Sequence, residues 1–144
     1  MFEISSNQSI KISRGDNADF PLFLNKGTVI RPIRYSFGDS DGCEVYFYIL
    51  AQNQTFTYDD NGQLVGGYIT KITIPSIKEN INDNGDMIIR IQPQHTSGLQ
   101  SGKYYYQIKA KVKDSKDETK YVINTVTNKN PFYVVEDEFN RSWS

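Results

Sequence analysis

One stretch of the sequence, "SGKYYYQIKAKVKD" at residues 101–114, constrains the fold more than any other, because apolar and polar side chains alternate along it. Five apolar or aromatic residues share one parity, namely Tyr104, Tyr106, Ile108, Ala110 and Val112. The other parity is mostly cationic and holds Lys103, Tyr105, Gln107, Lys109 and Lys111. Successive side chains of a β-strand point to opposite faces of its sheet, so the pattern predicts a half-buried strand with one solvated face.

Strand signals recur along the rest of the chain, and no segment has a 3.6-residue apolar period of helix length. Turn-forming residues separate the runs at short intervals. The "DDNG" turn at residues 59–62 predicts a hairpin, while Pro21 and Pro32 indicate edge positions or bulges. The pattern is typical of an all-β sandwich or barrel that forms a single domain.

The three consecutive tyrosines are explained best by packing. The spacing Leu99-x-x-Gly102-x-Tyr104 resembles the tyrosine corner of immunoglobulin-like sandwiches, in which a tyrosine hydroxyl bonds to upstream backbone. Tyr104 or Tyr106 would take that role, and Tyr105 on the opposite face is left to contact a partner. We expect an immunoglobulin-like antiparallel β-sandwich of about eight strands in residues 1–136. Its predicted core comprises Phe20, Leu22, Val45, Phe47, Ile49, Ile89, Ile91, Tyr104, Tyr106, Ile108 and Val134.

Composition narrows the classes of function. The chain has 144 residues and a formal net charge of −1, without the basic surplus of a nucleic-acid-binding protein. We attribute the lysines of residues 103–111 to the solvent face of one strand. Cys43 is the only cysteine, which excludes a disulfide framework and fits assembly in a reducing cytosol. We expect neither a nucleic-acid nor a membrane partner, because no signal peptide or long apolar window is present.

Few residues suit catalysis or metal binding. His95 is the only histidine and lies in turn-like sequence, so a Ser-His-Asp or Cys-His arrangement would depend on it. Cys43 begins an apolar strand and is interpreted as a small buried side chain. The acidic turns at 38–42 and 82–86 do not match the ligand spacing of an EF-hand, and "RGD" at 14–16 is interpreted as an ordinary turn. We expect a non-enzymatic protein with no catalytic, metal or cofactor site.

The segment "EDEFNRSWS" at residues 136–144 is a compositional break, first acidic and then aromatic, after the last clear strand. Buried aromatic side chains dominate interface energetics. We therefore expect residues 137–144 to form a C-terminal tail that acts as an assembly arm, with folding back onto its own sandwich as the alternative. The candidate partner contacts are Tyr105, Phe139, Arg141 and Trp143.

Several segments together resemble the immunoglobulin-like module of tailed-bacteriophage upper baseplate proteins. They are "IKISRGDNADFPLFL", "CEVYFYIL", "NDNGDMIIRIQPQHTSGLQSGKYYYQIKAKVKD" and "PFYVVE". The third resembles the family's apolar strand, Thr-x-x-Leu corner and Gly-Lys-Tyr start of an alternating strand. The resemblance covers nearly the whole chain and implies a virion structural component, assembled in the host bacterial cytoplasm, that binds capsid or tail subunits in symmetric copies. Since no fibrous extension follows the module, it favours a free-standing tail or baseplate adaptor or a capsid decoration protein.

Two other functions stay open at this point. A host-surface or carbohydrate-binding sandwich would need several exposed aromatic side chains on one face, for which Tyr48, Tyr58 and Tyr105 are candidates. An enzyme would need a site that a single histidine makes difficult to assemble.

Overall fold

A computed structural model describes residues 2–4, 8–27, 32–114 and 116–136, and nearly all of their regular structure is β. The strands are β1 (Phe2–Ile4), β2 (Ile10–Ser13), β3 (Ala18–Leu22), β4 (Asn25–Gly27), β5 (Pro32–Arg34), β6 (Glu44–Leu50), β7 (Thr57–Tyr58), β8 (Leu64–Gly66), β9 (Thr70–Pro75), β10 (Met87–Ile91), β11 (Gly102–Lys113), β12 (Tyr121–Thr125) and β13 (Asn130–Val135). A 3₁₀ turn spans Lys78–Asn80, and one helical turn, α1, spans Pro93–Thr96. None of the helices in these ranges is long and apolar enough to cross a membrane.

The larger sheet is built around the alternating strand that the sequence predicts. Its order is β1-β2-β13-β11-β6-β9, and β12 also pairs with β11. β13 pairs with the first half of β11 and β12 with the second half, on the edge opposite β6. β12 and β13 therefore lie in line along the same side of β11, with a break between residues 125 and 130.

One strand pair departs from the expected antiparallel arrangement. β2 and β13 run parallel, with Ile12 opposite Val134, whereas the other strand pairs of the described residues are antiparallel. Parallel neighbours need a long crossover connection. Here everything between β2 and β13 supplies it, because the chain passes from β2 to β3 in the second sheet before it returns.

The second sheet, β3 paired with β10, covers the inner face of the larger sheet and makes the fold a sandwich. All eleven predicted core residues belong to the apolar core or pack against it, with Phe20 and Tyr104 at its margin. The predicted core list omits several fully buried side chains, among them Ile10, Ile12, Met87 and Phe132.

The tyrosine corner is confirmed at the start of β11. The Tyr104 hydroxyl donates to the Gln100 carbonyl at 2.8 Å. Tyr106 lies on the same face two residues later, donates to the Gln8 carbonyl, and stacks its ring on Phe47 with centroids 5.2 Å apart. The two tyrosines thus combine core packing with hydrogen bonds to backbone carbonyls at the edge of the sandwich.

β6 is buried on both of its faces, which the sequence did not predict. Val45, Phe47 and Ile49 face the main core. On the other face a second apolar cluster comprises Tyr46, Tyr48 and Leu50, with Phe56, Leu64 and Tyr68 packed against it. The hairpin of β7 and β8, with its flanking residues, lies over this part of the outer sheet face.

Candidate interaction surfaces

Five lysines lie on the outer face of the larger sheet, each with its ammonium over an aromatic ring. We call this set the lysine face. The distances from Nζ to a ring centroid are 4.7 Å for Lys71 and Tyr46, 5.3 Å for Lys103 and Tyr105, 5.2 Å for Lys109 and Phe56, 4.9 Å for Lys111 and Tyr121, and 5.0 Å for Lys129 and Tyr105. A cation within about 6 Å of a ring centroid is attracted by the ring quadrupole, so these contacts hold the lysine stems against the sheet.

Strand register explains why lysines from separate segments share one face. Tyr48 lies opposite Gln107 on one side and opposite Lys71 on the other, so β9 and β11 point these side chains the same way. Lys109 lies opposite Tyr46. Lys129 reaches the same surface from the segment before β13, where its ammonium donates to the Gln54 carbonyl at 2.7 Å. The sequence shows only the alternation within β11. Lys71 and Lys129 reach the same face because of how the strands pair.

Several cationic side chains share this face. It holds five of the sixteen cationic side chains of the chain. Lys111 pairs with Glu44, whose carboxylate oxygen lies 3.8 Å from Lys111 Nζ. A chain of net charge −1 therefore presents a locally positive surface, which our sequence interpretation of these lysines as solvent-facing side chains did not bring out.

Tyr105 lies on the lysine face, as the alternation predicts, and is half-buried. Its ring has the ammonium groups of Lys103 and Lys129 near it, and Leu50 and Pro131 lie opposite it in the two neighbouring strands. The other three candidate contacts lie outside the described residues, namely Phe139, Arg141 and Trp143.

The structure removes Tyr48 from the exposed aromatic surface that a carbohydrate-binding function would need. Tyr48 is 3% exposed because Phe56 and Tyr68 pack on it, with ring centroids 5.0 and 5.1 Å away. Burial raises the pKa of Tyr48 to about 12. Tyr58 is 53% exposed, but Tyr48 contributes no ring surface beside it. An apolar strand such as β6 predicts burial without saying that its second face is also covered.

The second open surface is the outer edge of β12. All five residues of this strand are exposed, including Tyr121 at 40%, Val122 at 37% and Ile123 at 61%. β2 pairs with β13 but not with β12, so no strand among the described residues covers this edge. An unpaired edge presents a row of backbone donors and acceptors to any incoming strand.

The acidic turns use their carboxylates to hold backbone. Asp41 accepts hydrogen bonds from the Gly38 and Cys43 amides, at 2.8 and 2.9 Å, and from the Ser76 hydroxyl. Burial alone would raise the pKa of Asp41, but these hydrogen bonds outweigh it and hold the pKa below its usual value. In the second turn the side-chain amide oxygen of Asn82 accepts a hydrogen bond from the Asp86 amide at 3.0 Å. The described residues contain no cluster of three or more His, Cys, Asp or Glu side chains suited to a metal ion.

The RGD segment forms the turn between β2 and β3, as predicted. Arg14 pairs with Glu136, with 2.7 Å between Nη2 and the carboxylate oxygen. The Gly15 amide donates to the buried Thr96 hydroxyl at 2.9 Å. Gly15 has φ +85°, a conformation that suits glycine. The Arg14 ion pair and the Gly15 hydrogen bond anchor the turn to other parts of the sandwich.

His95 and Cys43 occupy structural positions. His95 Nδ1 accepts a hydrogen bond from the Gln92 amide at 2.8 Å, at the start of α1, and burial lowers the pKa of its imidazole. Cys43 is buried, as predicted, and its sulfur lies 3.4 Å from the Tyr35 hydroxyl. Burial raises the pKa of the Cys43 thiol, which disfavours the nucleophilic thiolate.

Comparisons with protein-family models, with curated proteins and with solved structures found no match to this chain.

Proposed function

We propose that this protein is a non-enzymatic structural component of a tailed-bacteriophage virion, a tail or baseplate adaptor or a capsid decoration protein, that acts through protein–protein contacts. The sequence resemblance supplies the virion context, and the all-β sandwich is compatible with it. The observation that carries the proposal is the lysine face, a positive surface formed jointly by β6, β9, β11 and the segment before β13. Such a surface fits an acidic face of a neighbouring virion subunit.

Ring geometry favours a protein partner over a nucleic acid. Single-stranded nucleic acids bind proteins through bases that stack on aromatic side chains. Phe56 and Tyr105 already have ammonium groups 5.0–5.3 Å from their ring centroids. A carboxylate needs no ring surface and meets the same ammonium groups directly.

The expected energetic role of the lysine face is orientation and rate of docking. Individual exposed ion pairs contribute about 1 kcal/mol or less and are screened by salt. Five like charges on one face act together as a positive patch, which steers an oppositely charged surface into register and raises the association rate. Attachment through this face should therefore weaken as ionic strength rises.

The test is the location of the protein. Particles are purified by density gradient from lysates of the bacterial host that produces this chain and are probed with an antibody to it. We expect the protein in the particle band at a constant ratio to a capsid or tail subunit. Its confinement to the particle-free fraction would overturn the proposal.

A charge-neutral variant tests the surface itself. Lys109→Gln with Lys111→Gln should lower incorporation into particles at least about tenfold at physiological salt. Lys78→Gln with Lys116→Gln is the matched control, since both residues are exposed and lie outside the lysine face. Equal incorporation of the two double variants would exclude the lysine face as the contact.

A further inference from the structure

We propose that β12 is a self-association edge, which pairs antiparallel with β12 of a second copy so that the two larger sheets become one. The inference rests on the proposed function only in requiring that the chain assemble in several copies. It is carried by the backbone and side chains of Tyr121–Thr125, all of which are described and exposed.

Backbone hydrogen bonds show which groups face the open edge. At the two ends of the β11–β12 ladder, the Asp114 amide donates to the Lys120 carbonyl at 2.9 Å and the Val126 amide to the Ile108 carbonyl at 2.8 Å. Because hydrogen-bonded and non-hydrogen-bonded pairs alternate in an antiparallel ladder, even-numbered residues of β12 face β11. The amide and carbonyl groups of Tyr121, Ile123 and Thr125 therefore point to the open edge.

The chain leaves this edge unprotected and protects the opposite one. Natural edge strands are blocked by charged side chains, prolines or bulges. β9, at the other end of the same sheet, carries exposed Lys71 and ends in Pro75. β12 has the sequence YVINT, without a charge or a proline. This contrast within one sheet favours a partner strand at the open edge of β12.

A second copy of β12 fits this edge. With a twofold axis at Ile123, that residue lies opposite its own copy and Tyr121 lies opposite Thr125 of the partner copy. These are odd-to-odd pairs, so the outward backbone groups of both strands meet in hydrogen-bonded pairs. Side chains directly opposite share a face, which places the exposed Ile123 against its own copy, while the Tyr121 hydroxyl bonds the Asp41 carbonyl within its own chain.

The two copies of Lys111 do not oppose this pairing. Lys111 lies opposite Ile123 in the neighbouring strand, so the two copies of Lys111 would be separated by three strand spacings, about 14 Å. The Debye length at physiological ionic strength is about 8 Å, so their repulsion is largely screened. The twofold axis is perpendicular to the sheet, so both lysine faces lie on the same side and form one larger positive surface.

Sedimentation velocity of the full chain over a concentration series tests the pairing. We expect a monomer–dimer equilibrium that Ile123→Lys weakens at least about tenfold, because it places a charge opposite its own copy. Val65→Lys is the matched control, since Val65 is 59% exposed on the β7–β8 hairpin and lies away from β12. A monomer at all concentrations, or equal effects of the two variants, would overturn the inference.

Crosslinking tests the register. Ile123→Cys should form an intermolecular disulfide under mild oxidation, because hydrogen-bonded antiparallel partners have Cα atoms about 5.5 Å apart. Val65→Cys should not, and buried Cys43 stays reduced in both variants. Absence of a crosslink in a dimeric Ile123→Cys sample would exclude the twofold axis at this residue.

Salt separates this contact from the lysine face. β-strand pairing should hold or tighten between about 50 and 500 mM NaCl, whereas docking through the lysines should weaken. Dimerisation lost at high salt would assign the contact to the lysine face of one copy and an acidic surface of the other, and would overturn the inference. Particle incorporation of a protein that sediments only as a monomer would refute β12 pairing and leave the proposed function intact, and dimerisation without incorporation would do the reverse.

Discussion

At the scale of single residues, the chain assigns its three consecutive tyrosines to different tasks. Tyr104 and Tyr106 face inward and bond the carbonyls of Gln100 and Gln8, whereas Tyr105 faces outward beside two lysines. Strand alternation alone predicts this division, because neighbouring side chains point to opposite faces. The particular carbonyl that each hydroxyl reaches depends on the course of segments distant in sequence.

Tyr104→Phe isolates the corner hydrogen bond. Removal of the hydroxyl should lower the free energy of unfolding by about 1 kcal/mol, since the Gln100 carbonyl loses its donor while the ring stays in place. Tyr105→Phe is the control on the opposite face, with an expected change within about 0.5 kcal/mol. Urea melts measure both variants. Equal changes in the free energy of unfolding would show that the corner hydrogen bond does not stabilise the fold.

His95 gives the fold a pH dependence with a defined sign. Its pKa is lowered by burial, and Nδ1 accepts the Gln92 amide only when the ring is neutral. A histidine with a folded pKa below its unfolded value of about 6.5 stabilises the fold fully above that pH, and the contribution is lost as pH falls through the folded pKa. We expect wild-type stability to decline as pH falls below about 6.5.

His95→Gln is the matched control for that decline. A glutamine at the same helix position supplies an oxygen acceptor to the Gln92 amide and does not titrate. Its urea midpoint should stay flat between about pH 7.5 and pH 5.5. A decline of the same slope in both proteins would assign the pH dependence to carboxylates instead.

At the scale of elements, the hairpin of β7 and β8 decides what the outer sheet face exposes. Phe56, just before β7, packs on Tyr48 and also lies under the Lys109 ammonium. The hairpin thus buries aromatic surface of β6 and supports one cation of the lysine face. Its sequence is mostly polar and reads as a turn between two short strands, so it gave no signal that it folds back over β6.

Phe56→Ala should therefore disturb both the second apolar cluster and the lysine face. We expect a loss of about 2 kcal/mol in the free energy of unfolding, because the ring is partly buried in the second apolar cluster. Tyr58→Ala on the same hairpin should change stability by less than about 0.5 kcal/mol, since its side chain is mostly exposed. Thermal melts of the two variants compare them, and a harmless Phe56→Ala would mean that the hairpin contributes no cover.

Prediction from sequence succeeded where the information was local and failed where it depended on pairing. The alternation of residues 103–112, the core-facing side of β6 and the corner at Tyr104 each follow from a short pattern. Three other features depend on which strands become neighbours. They are the parallel β2–β13 pair, the alignment of β12 and β13 along one side of β11, and the lysine face. Register brings Lys71 and Lys109 onto one surface although they are separated in sequence.

At the scale of the whole molecule, strands from the two ends of the described chain pair with each other. β2 and β13 lie side by side, with Ile12 opposite Val134 and both side chains buried in the main core. The sandwich cannot complete its core until the two ends of this region meet. Because long-range pairings of this kind must form before they are stabilised, we expect folding in milliseconds to seconds and a single cooperative unit.

Ile12→Ala tests that cooperativity. Ile12 is fully buried, so the truncation should lower the free energy of unfolding by about 2–5 kcal/mol through lost transfer energy and a residual cavity. Lys11→Ala, on the solvated parity of the same strand, is the matched control and should change stability little. Since β2 supplies part of the core through its pairing with β13, the destabilised variant should unfold in one transition. The urea curves from far-UV circular dichroism and tyrosine fluorescence should then coincide. An early loss of the β2–β13 pair, seen as two separate transitions, would show that the rest of the sandwich folds without β2.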